Sequence, residues 1–66
     1  HNYLVVDNTY YPGNYTIEIY DLMGTLILCK RVNGKTRIYL DDLNAGIYVC
    51  KLYVNGETVI KKVIIQ

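Results

Sequence analysis

The chain has few of the residues on which catalytic sites depend. Among its 66 residues there is no serine, and its one histidine is the first residue, His1. The absence of serine excludes a serine nucleophile, and Cys29 and Cys50 have no internal histidine to act as their base. A chain of this length forms one small domain, without the depth for a large pocket. We therefore expect no catalytic residues, no cofactor and no enzymatic activity.

Charge and metal ligands are also sparse. Seven Lys and Arg against six Asp and Glu give a net charge of +1, which argues against a nucleic-acid partner. The two cysteines and the terminal histidine fall short of the ligand set of a structural zinc site. The acidic residues lack the spacing of a calcium loop, and Asp41-Asp42 is typical of a solvated turn rather than an acid–base pair. We predict no metal site.

Long apolar runs are missing as well. Uninterrupted runs such as Leu26–Cys29 and Ile47–Cys50 have four residues each, whereas a membrane-spanning helix needs about 20. We predict no transmembrane segment. The apolar share of 52% nevertheless indicates a folded domain rather than a disordered chain. Because the chain does not begin with Met, we expect it to be processed or to be part of a longer protein.

Turn-forming residues recur at intervals of about ten, which is typical of a small β-sandwich or barrel. The runs between them are rich in Ile, Val, Leu, Tyr and Thr, which suit strands. The predicted strands are Tyr3–Val6, Tyr15–Tyr20, Thr25–Val32, Lys35–Leu40, Ile47–Val54 and Glu57–Ile65. We therefore predict an all-β fold, a small immunoglobulin-like antiparallel β-sandwich of six to seven strands.

Two Asn-Gly pairs predict tight turns. Asn33-Gly34 and Asn55-Gly56 each lie between two predicted strands. Asn-Gly favours the two-residue type I′ turn, whose twist matches the strands of a β-hairpin. We therefore expect a hairpin at each of these places.

The alternation of apolar and polar residues assigns a buried face to several strands. The residues predicted to face the core are Tyr15, Ile17, Ile19, Ile38, Leu40, Tyr48, Cys50, Leu52 and Val54. In the last strand Lys61 and Lys62 fall on opposite faces, so one of them must lie at an edge, in a bulge or on a solvated face. The apolar residues Val63-Ile64-Ile65 that follow either close the core or form a strand that is available to a partner.

The cysteines and tyrosines leave alternatives open. Cys29 and Cys50 lie in different predicted strands, and they either form a disulfide or act as small buried apolar residues. All eight aromatic residues are tyrosine, and Tyr20, Tyr39 and Tyr53 fall on predicted outer rows. These three either support the sheets through cross-strand contacts or form an exposed adhesive surface.

Three segments carry a resemblance to a known family. Tyr20–Leu28 reads YDLMGTLIL, Leu40–Tyr48 reads LDDLNAGIY, and Lys61–Gln66 reads KKVIIQ. In order and spacing they resemble the YDLxGxLVL, IDLSxLxxGxY and KKIIIx segments of type IX secretion C-terminal sorting domains from Bacteroidetes-type bacteria. The resemblance covers about Tyr15 to Gln66.

The resemblance implies a signal that directs an N-terminal cargo protein of the same precursor through the outer membrane. The implied partners are the outer-membrane secretion translocon and a sortase-type protease, and the implied route leads through the periplasm to the cell surface or the medium. The family's recognition residues map to Lys61, Lys62, Val63, Ile64 and Ile65. Its scaffold turns map to Asp21, Gly24, Leu43, Gly46 and Tyr48.

The start of the chain departs from the family pattern. The family usually has a Pro-Asn-Pro entry, where Asn8–Asn14 reads NTYYPGN. We therefore expect residues 1–14 to be an N-terminal edge segment or linker remnant and residues 15–66 to be the sorting-type sandwich. The alternative function is a structural or adhesive immunoglobulin-like module of a secreted or surface protein, since such modules from these bacteria have similar strands.

Overall fold

The computed structural model describes residues 3–6, 14–54 and 56–66, whose regular structure is entirely β-strand. The strands are β1 (Tyr3–Val6), β2 (Asn14–Tyr20), β3 (Leu26–Asn33), β4 (Thr36–Tyr39), β5 (Gly46–Val54) and β6 (Glu57–Ile65). Every predicted strand is present, and no end differs by more than one residue. His1, most of the segment Asn8–Asn14, and Asn55 of the second predicted turn lie outside the described residues.

The strands form two antiparallel sheets. One has four strands in the order β3-β2-β5-β6, and the other consists of β1 and β4. In the smaller sheet Leu4 lies opposite Ile38, and both contribute to the same core as the larger sheet. The fold is therefore the small antiparallel β-sandwich that the sequence predicts. β1 falls in the predicted N-terminal edge segment, and the boundary between residues 14 and 15 stays a prediction.

The core lies between the sheets and is built from alternate residues of each strand. Its buried members are Tyr15, Ile17, Ile19, Val32, Ile38, Leu40, Tyr48, Cys50, Val54 and Ile65. All the residues predicted to face the core are there except Leu52, which is half-buried and packs against it. Ile17 and Ile19 are fully buried, and burying such a side chain stabilises the fold by about 1.5–3 kcal/mol.

Of the two predicted hairpins, one is confirmed and one is wrong. β5 and β6 pair from Val54 opposite Glu57 onwards, which leaves a two-residue connection. β3 and β4, in contrast, belong to different sheets, so Asn33-Gly34 is a corner between sheets. Gly34 has the positive φ of +77° that Asn-Gly favours. β4 pairs with β1 instead, and from that sheet Ile38, opposite Leu4, is buried in the core.

The disulfide alternative for the cysteines is also wrong, because both are free thiols. Cys29 pairs with Glu18, and Cys50 pairs with the neighbouring residue Ile19 on the other side of β2. Adjacent residues of a strand point to opposite faces of the sheet. Cys29 is accordingly exposed and Cys50 is buried, so only Cys50 acts as the predicted small buried apolar residue.

Candidate recognition surface

The last strand, β6, lies at one edge of the four-stranded sheet. It pairs with β5 along its whole length, from Glu57 opposite Val54 to Ile65 opposite Gly46. Within the part of the chain that the structure describes, its other edge has no strand partner. β6 is therefore fixed through one side and presents unpaired backbone groups on the other.

The side chains of β6 alternate between the core and the surface. Ile65 is 4% exposed, and Val63 packs half-buried against the core. Ile64, in contrast, is 59% exposed, and Lys61 and Lys62 are both exposed. The predicted recognition residues thus share one strand but divide into two anchors and three accessible side chains. The segment Lys61–Ile65 therefore closes the core through Val63 and Ile65 and exposes its other three side chains.

The surface of the four-stranded sheet that points away from the core, here the outer face, extends the accessible part of β6. Its residues from β5 and β6 form the cross-strand pairs Ile47–Ile64, Val49–Lys62, Lys51–Ile60 and Tyr53–Thr58. Ile60 is 61% exposed and Ile47 is 42% exposed. Isoleucines therefore alternate with lysines across this part of the outer face, which is an arrangement of an apolar contact surface with positive charge beside it.

The centre of the outer face is a hydrogen-bonded cluster around Glu18. The hydroxyl of Tyr20 donates a 2.6 Å hydrogen bond to Oε1 of Glu18, and the Lys51 ammonium lies 4.9 Å from the centroid of the Tyr20 ring. Hydrogen bonds from Tyr20 and Tyr53, with a smaller contribution from the charge of Lys51, lower the pKa of Glu18. The same bond to Glu18 raises the pKa of Tyr20 to about 12. Glu18 is thus held as a carboxylate.

The tyrosines predicted for outer rows do not form one surface. Tyr20 and Tyr53 belong to the Glu18 cluster, whereas Tyr39 lies in β4 of the other sheet. There its ring is 6.0 Å from the ring of Tyr3, whose face is also covered by the Arg37 guanidinium at 4.6 Å. Each group supports its own sheet through neighbouring strands, which is the first of the two predicted roles.

A shallow groove of about 290 Å³ lies at the end of the outer face, where β2 leads into its turn. Its lining residues are Tyr20, Asp21, Leu22, Gly24, Val49 and Lys51. The groove continues the outer face, and its lining includes one ammonium, that of Lys51, and one carboxylate, that of Asp21. The described residues contain no cluster of side chains that could hold a metal ion. They also form no helix with the length and apolarity to cross a membrane.

The sequence of the chain matches a known family along its full length. The family model described as a secretion system C-terminal sorting domain covers residues 1–66. The chain belongs to this family, that of the type IX secretion C-terminal sorting domains. A search of curated proteins found no match. The resemblance of the three sequence segments is therefore confirmed, and it extends further towards the start of the chain than those segments do.

Membership gives the sorting domain a broad role. The family implies a cargo protein in the same precursor and secretion towards the outer membrane or the cell surface. It is not an enzyme family. The edge position of β6 in the described sheet is consistent with a domain that another protein recognises.

The first scaffold turn of the sorting domain is organised by Asp21. Its Oδ1 accepts hydrogen bonds of 2.9 Å from the backbone N–H groups of Met23 and Thr25. The backbone N–H of Asp21 also donates to the carbonyl of Thr25, and the carbonyl of Asp21 accepts from the N–H of Gly24. Gly24 has a φ of +86°, a left-handed conformation that a side chain disfavours. The YDLMGTLIL segment is thus a self-contained turn that joins β2 to β3.

The second scaffold turn leads from β4 into β5. The Leu43 N–H donates to the Leu40 carbonyl at 3.1 Å, which closes the turn after β4. The hydroxyl of Tyr48 then donates to the Asn44 carbonyl at 2.7 Å. Gly46, which lies between Asn44 and Tyr48 in the sequence, is the first residue of β5 and pairs with Ile65. The LDDLNAGIY segment is thus a turn with two hydrogen bonds of its own, and its Gly46 pairs with the end of β6.

Several surface residues were missed by reasoning from the sequence alone. Ile47, Ile60 and Lys51 lie beside the candidate recognition residues because β5 and β6 pair in this register. The signal was present, since the Asn55-Gly56 turn fixes which residues of the two strands lie opposite each other. The bond between Glu18 and Tyr20 had no comparable signal, because it depends on the rotamers of two half-buried side chains.

Proposed function

We propose that the sorting domain directs an N-terminal cargo protein through the outer membrane by type IX secretion. In this proposal the translocon recognises the segment Lys61, Lys62, Val63, Ile64 and Ile65, and a sortase-type protease separates the domain from its cargo. The observation that carries the proposal is the family match over residues 1–66. The exposure of Lys61, Lys62 and Ile64 on an edge strand supports it, because these side chains are accessible to a large partner.

The proposal separates residues that contact the translocon from residues that support them. Ile65 is 4% exposed, so it acts by anchoring the end of β6 in the core. Lys61, Lys62 and Ile64 supply the contacts. The two kinds of residue should respond differently to substitution, because loss of an anchor unfolds the strand while loss of a contact leaves the fold intact.

The test is a reporter protein fused in front of the domain, in a host that has a type IX system. We expect the reporter at the cell surface or in the medium, and in the periplasm of a host whose translocon is disabled. The double variant Lys61→Gln/Lys62→Gln should be retained in the periplasm. The matched control is Lys30→Gln/Arg31→Gln, which neutralises an exposed basic pair on the opposite edge strand, β3.

The outcomes are distinct. Equal export from hosts with and without a working translocon would disprove the sorting role. Equal export of the two double variants would disprove recognition through the lysines of β6. Mass spectrometry of the exported protein tests removal of the domain, and a domain retained on the mature surface protein would favour the alternative of a structural module.

A further inference from the structure

We propose that the free edge of β6 takes up an extended segment of a partner protein as an added β-strand. The partner segment has a defined chemistry, with two adjacent acidic residues flanked on each side by apolar residues. The inference rests on the proposed recognition role of β6 and deepens it by naming how the partner binds. Its evidence is the backbone geometry of β6 and the order of charged and apolar residues along that strand.

The backbone argument starts from the β5–β6 hairpin. Val54 and Glu57 flank a two-residue connection, and such a pair exchanges hydrogen bonds across the hairpin. Since hydrogen-bonded and non-hydrogen-bonded pairs alternate in an antiparallel ladder, odd-numbered residues of β6 point their N–H and C=O groups at β5. The even-numbered residues point theirs at the free edge. They are Thr58, Ile60, Lys62 and Ile64.

These four residues also place their side chains on the outer face. A strand added at the free edge would therefore form backbone hydrogen bonds with them and lie beside their side chains. Ile60 and Ile64 are 61% and 59% exposed, and each would lose apolar surface to water on contact with an apolar neighbour. Backbone pairing supplies affinity, and the neighbouring side chains supply selectivity.

The side chains define the complementary sequence. From Val59 to Ile64, β6 reads two apolar residues, two lysines and two apolar residues. Opposite charges that face each other across a ladder stabilise it, and like charges destabilise it. The complement is therefore apolar, apolar, acidic, acidic, apolar, apolar, and it reads the same in either direction. Lysines on an edge strand discourage pairing with most other strands, but they favour pairing with a strand that carries acidic residues opposite them.

A second copy of the chain is a poorer occupant of this edge, and β3 is a poorer template for an added strand. A second copy of the chain, with β6 against β6, would bring the lysine pairs of both copies close together, because overlapping antiparallel registers centre near Lys61 and Lys62. The opposite edge strand, β3, has an irregular register next to Ile19 and Tyr20, and such irregularity disfavours further pairing. The regular, nine-residue β6 is the better template.

The test uses the 66-residue chain and a synthetic peptide, Thr-Val-Ile-Asp-Asp-Ile-Val-Thr. Hydrogen exchange is followed by NMR. In the free chain the amides of Val59, Lys61 and Val63 should exchange slowly and those of Ile60, Lys62 and Ile64 quickly. With the peptide bound, we expect exchange of the even-numbered amides to slow by about tenfold or more. A peptide with lysines in place of the aspartates should not bind.

A backbone-specific variant completes the test. Ile60→Pro removes an N–H from the free edge and leaves the pairing with β5 in place, which is where proline is tolerated in sheets. Ile60→Ala is the matched control that shortens the side chain and keeps the N–H. We expect Ile60→Pro to bind the peptide about tenfold more weakly than Ile60→Ala. Protection of the odd-numbered amides verifies that both variants are folded.

Several results would overturn strand addition. The acidic peptide could fail to bind at millimolar concentration, or the lysine peptide could bind equally well. The acidic peptide could also bind without protecting the even-numbered amides, or bind the two Ile60 variants with equal affinity. None of these results bears on export itself. If the reporter fusion is exported while the peptide test fails, the sorting role stands and the mode of binding is wrong.

Discussion

The hydroxyl of Tyr48 donates a 2.7 Å hydrogen bond to the backbone carbonyl of Asn44. The bond ties the loop between β4 and β5 to a side chain that is only 9% exposed. Tyr48→Phe keeps the ring in the core and removes the bond. We expect the free energy of unfolding to fall by about 1 kcal/mol, as measured by urea denaturation with circular dichroism.

Tyr39→Phe is the control for this change, because Tyr39 is 58% exposed and contacts Tyr3 through its ring. Its free energy of unfolding should change by less than about 0.5 kcal/mol. An equal loss in both variants would show that the Tyr48 bond has no special role in the turn.

A second prediction concerns the Asp21 turn. Oδ1 of Asp21 accepts from two backbone N–H groups, those of Met23 and Thr25. Asp21→Ala removes both bonds, and we expect it to lower the free energy of unfolding by about 1–2 kcal/mol. Asp21→Asn retains a carbonyl oxygen in the same place and should lose less. Urea denaturation of the two variants tests this prediction. Identical midpoints would show that the bonds accepted by the Asp21 side chain do not stabilise the turn.

The positions of the strands could be predicted from sequence because they depend on local signals. Val, Ile and Tyr alternate with polar residues between Gly and Asn turns, and this pattern sets both the strand ends and the buried row that contains Ile17 and Ile19. The pairing of strands depends on long-range burial instead. Asn33-Gly34 has the local chemistry of a hairpin, yet β4 crosses to the other sheet, where Ile38 is 1% exposed.

For the candidate surface, too, the local alternation of side chains could be predicted from sequence, whereas the strand pairing could not. The alternation along β6 placed Lys61 and Lys62 on opposite faces, and the parity of Ile64 and Ile65 follows from the same period of two. Which of the two isoleucines is buried depends on the register with β5, where Ile65 lies opposite Gly46. Register and the order of strands in the sheet are properties of the assembled fold.

A third prediction uses the lowered pKa of Glu18 and the raised pKa of Tyr20, about 12. Stability from Glu18 is present above its ordinary pKa of 4.5 and is lost as the pH falls through the lowered value. Stability from Tyr20 is present below its ordinary pKa of 10.0 and is lost as the pH rises through about 12. The fold should therefore be most stable between these ranges.

NMR titration of the Glu18 carboxyl group measures the coupling directly. Tyr20→Phe removes the largest cause of the shift, so the pKa of Glu18 should rise towards its ordinary value. The shift should persist in part, because Tyr53 also donates to Glu18. In the reciprocal variant, Glu18→Gln, the pKa of Tyr20 should fall, as followed by ultraviolet absorbance. An unchanged Glu18 pKa in Tyr20→Phe would refute the hydrogen bond as its cause.

A fourth prediction follows from the placement of the two thiols on opposite faces of the sheet. Cys29 is exposed, whereas Cys50 is 7% exposed and burial raises its pKa, which lowers the fraction of reactive thiolate. A maleimide should therefore label the native chain once, at Cys29, and label Cys50 only after unfolding in urea. Peptide mass spectrometry locates the label, and Cys29→Ala should abolish native labelling while Cys50→Ala should not. Under mild oxidation we expect disulfide-linked dimers through Cys29. Rapid formation of an internal Cys29–Cys50 bridge would contradict the register of β3, β2 and β5, because β2 separates the two cysteines and they point away from each other.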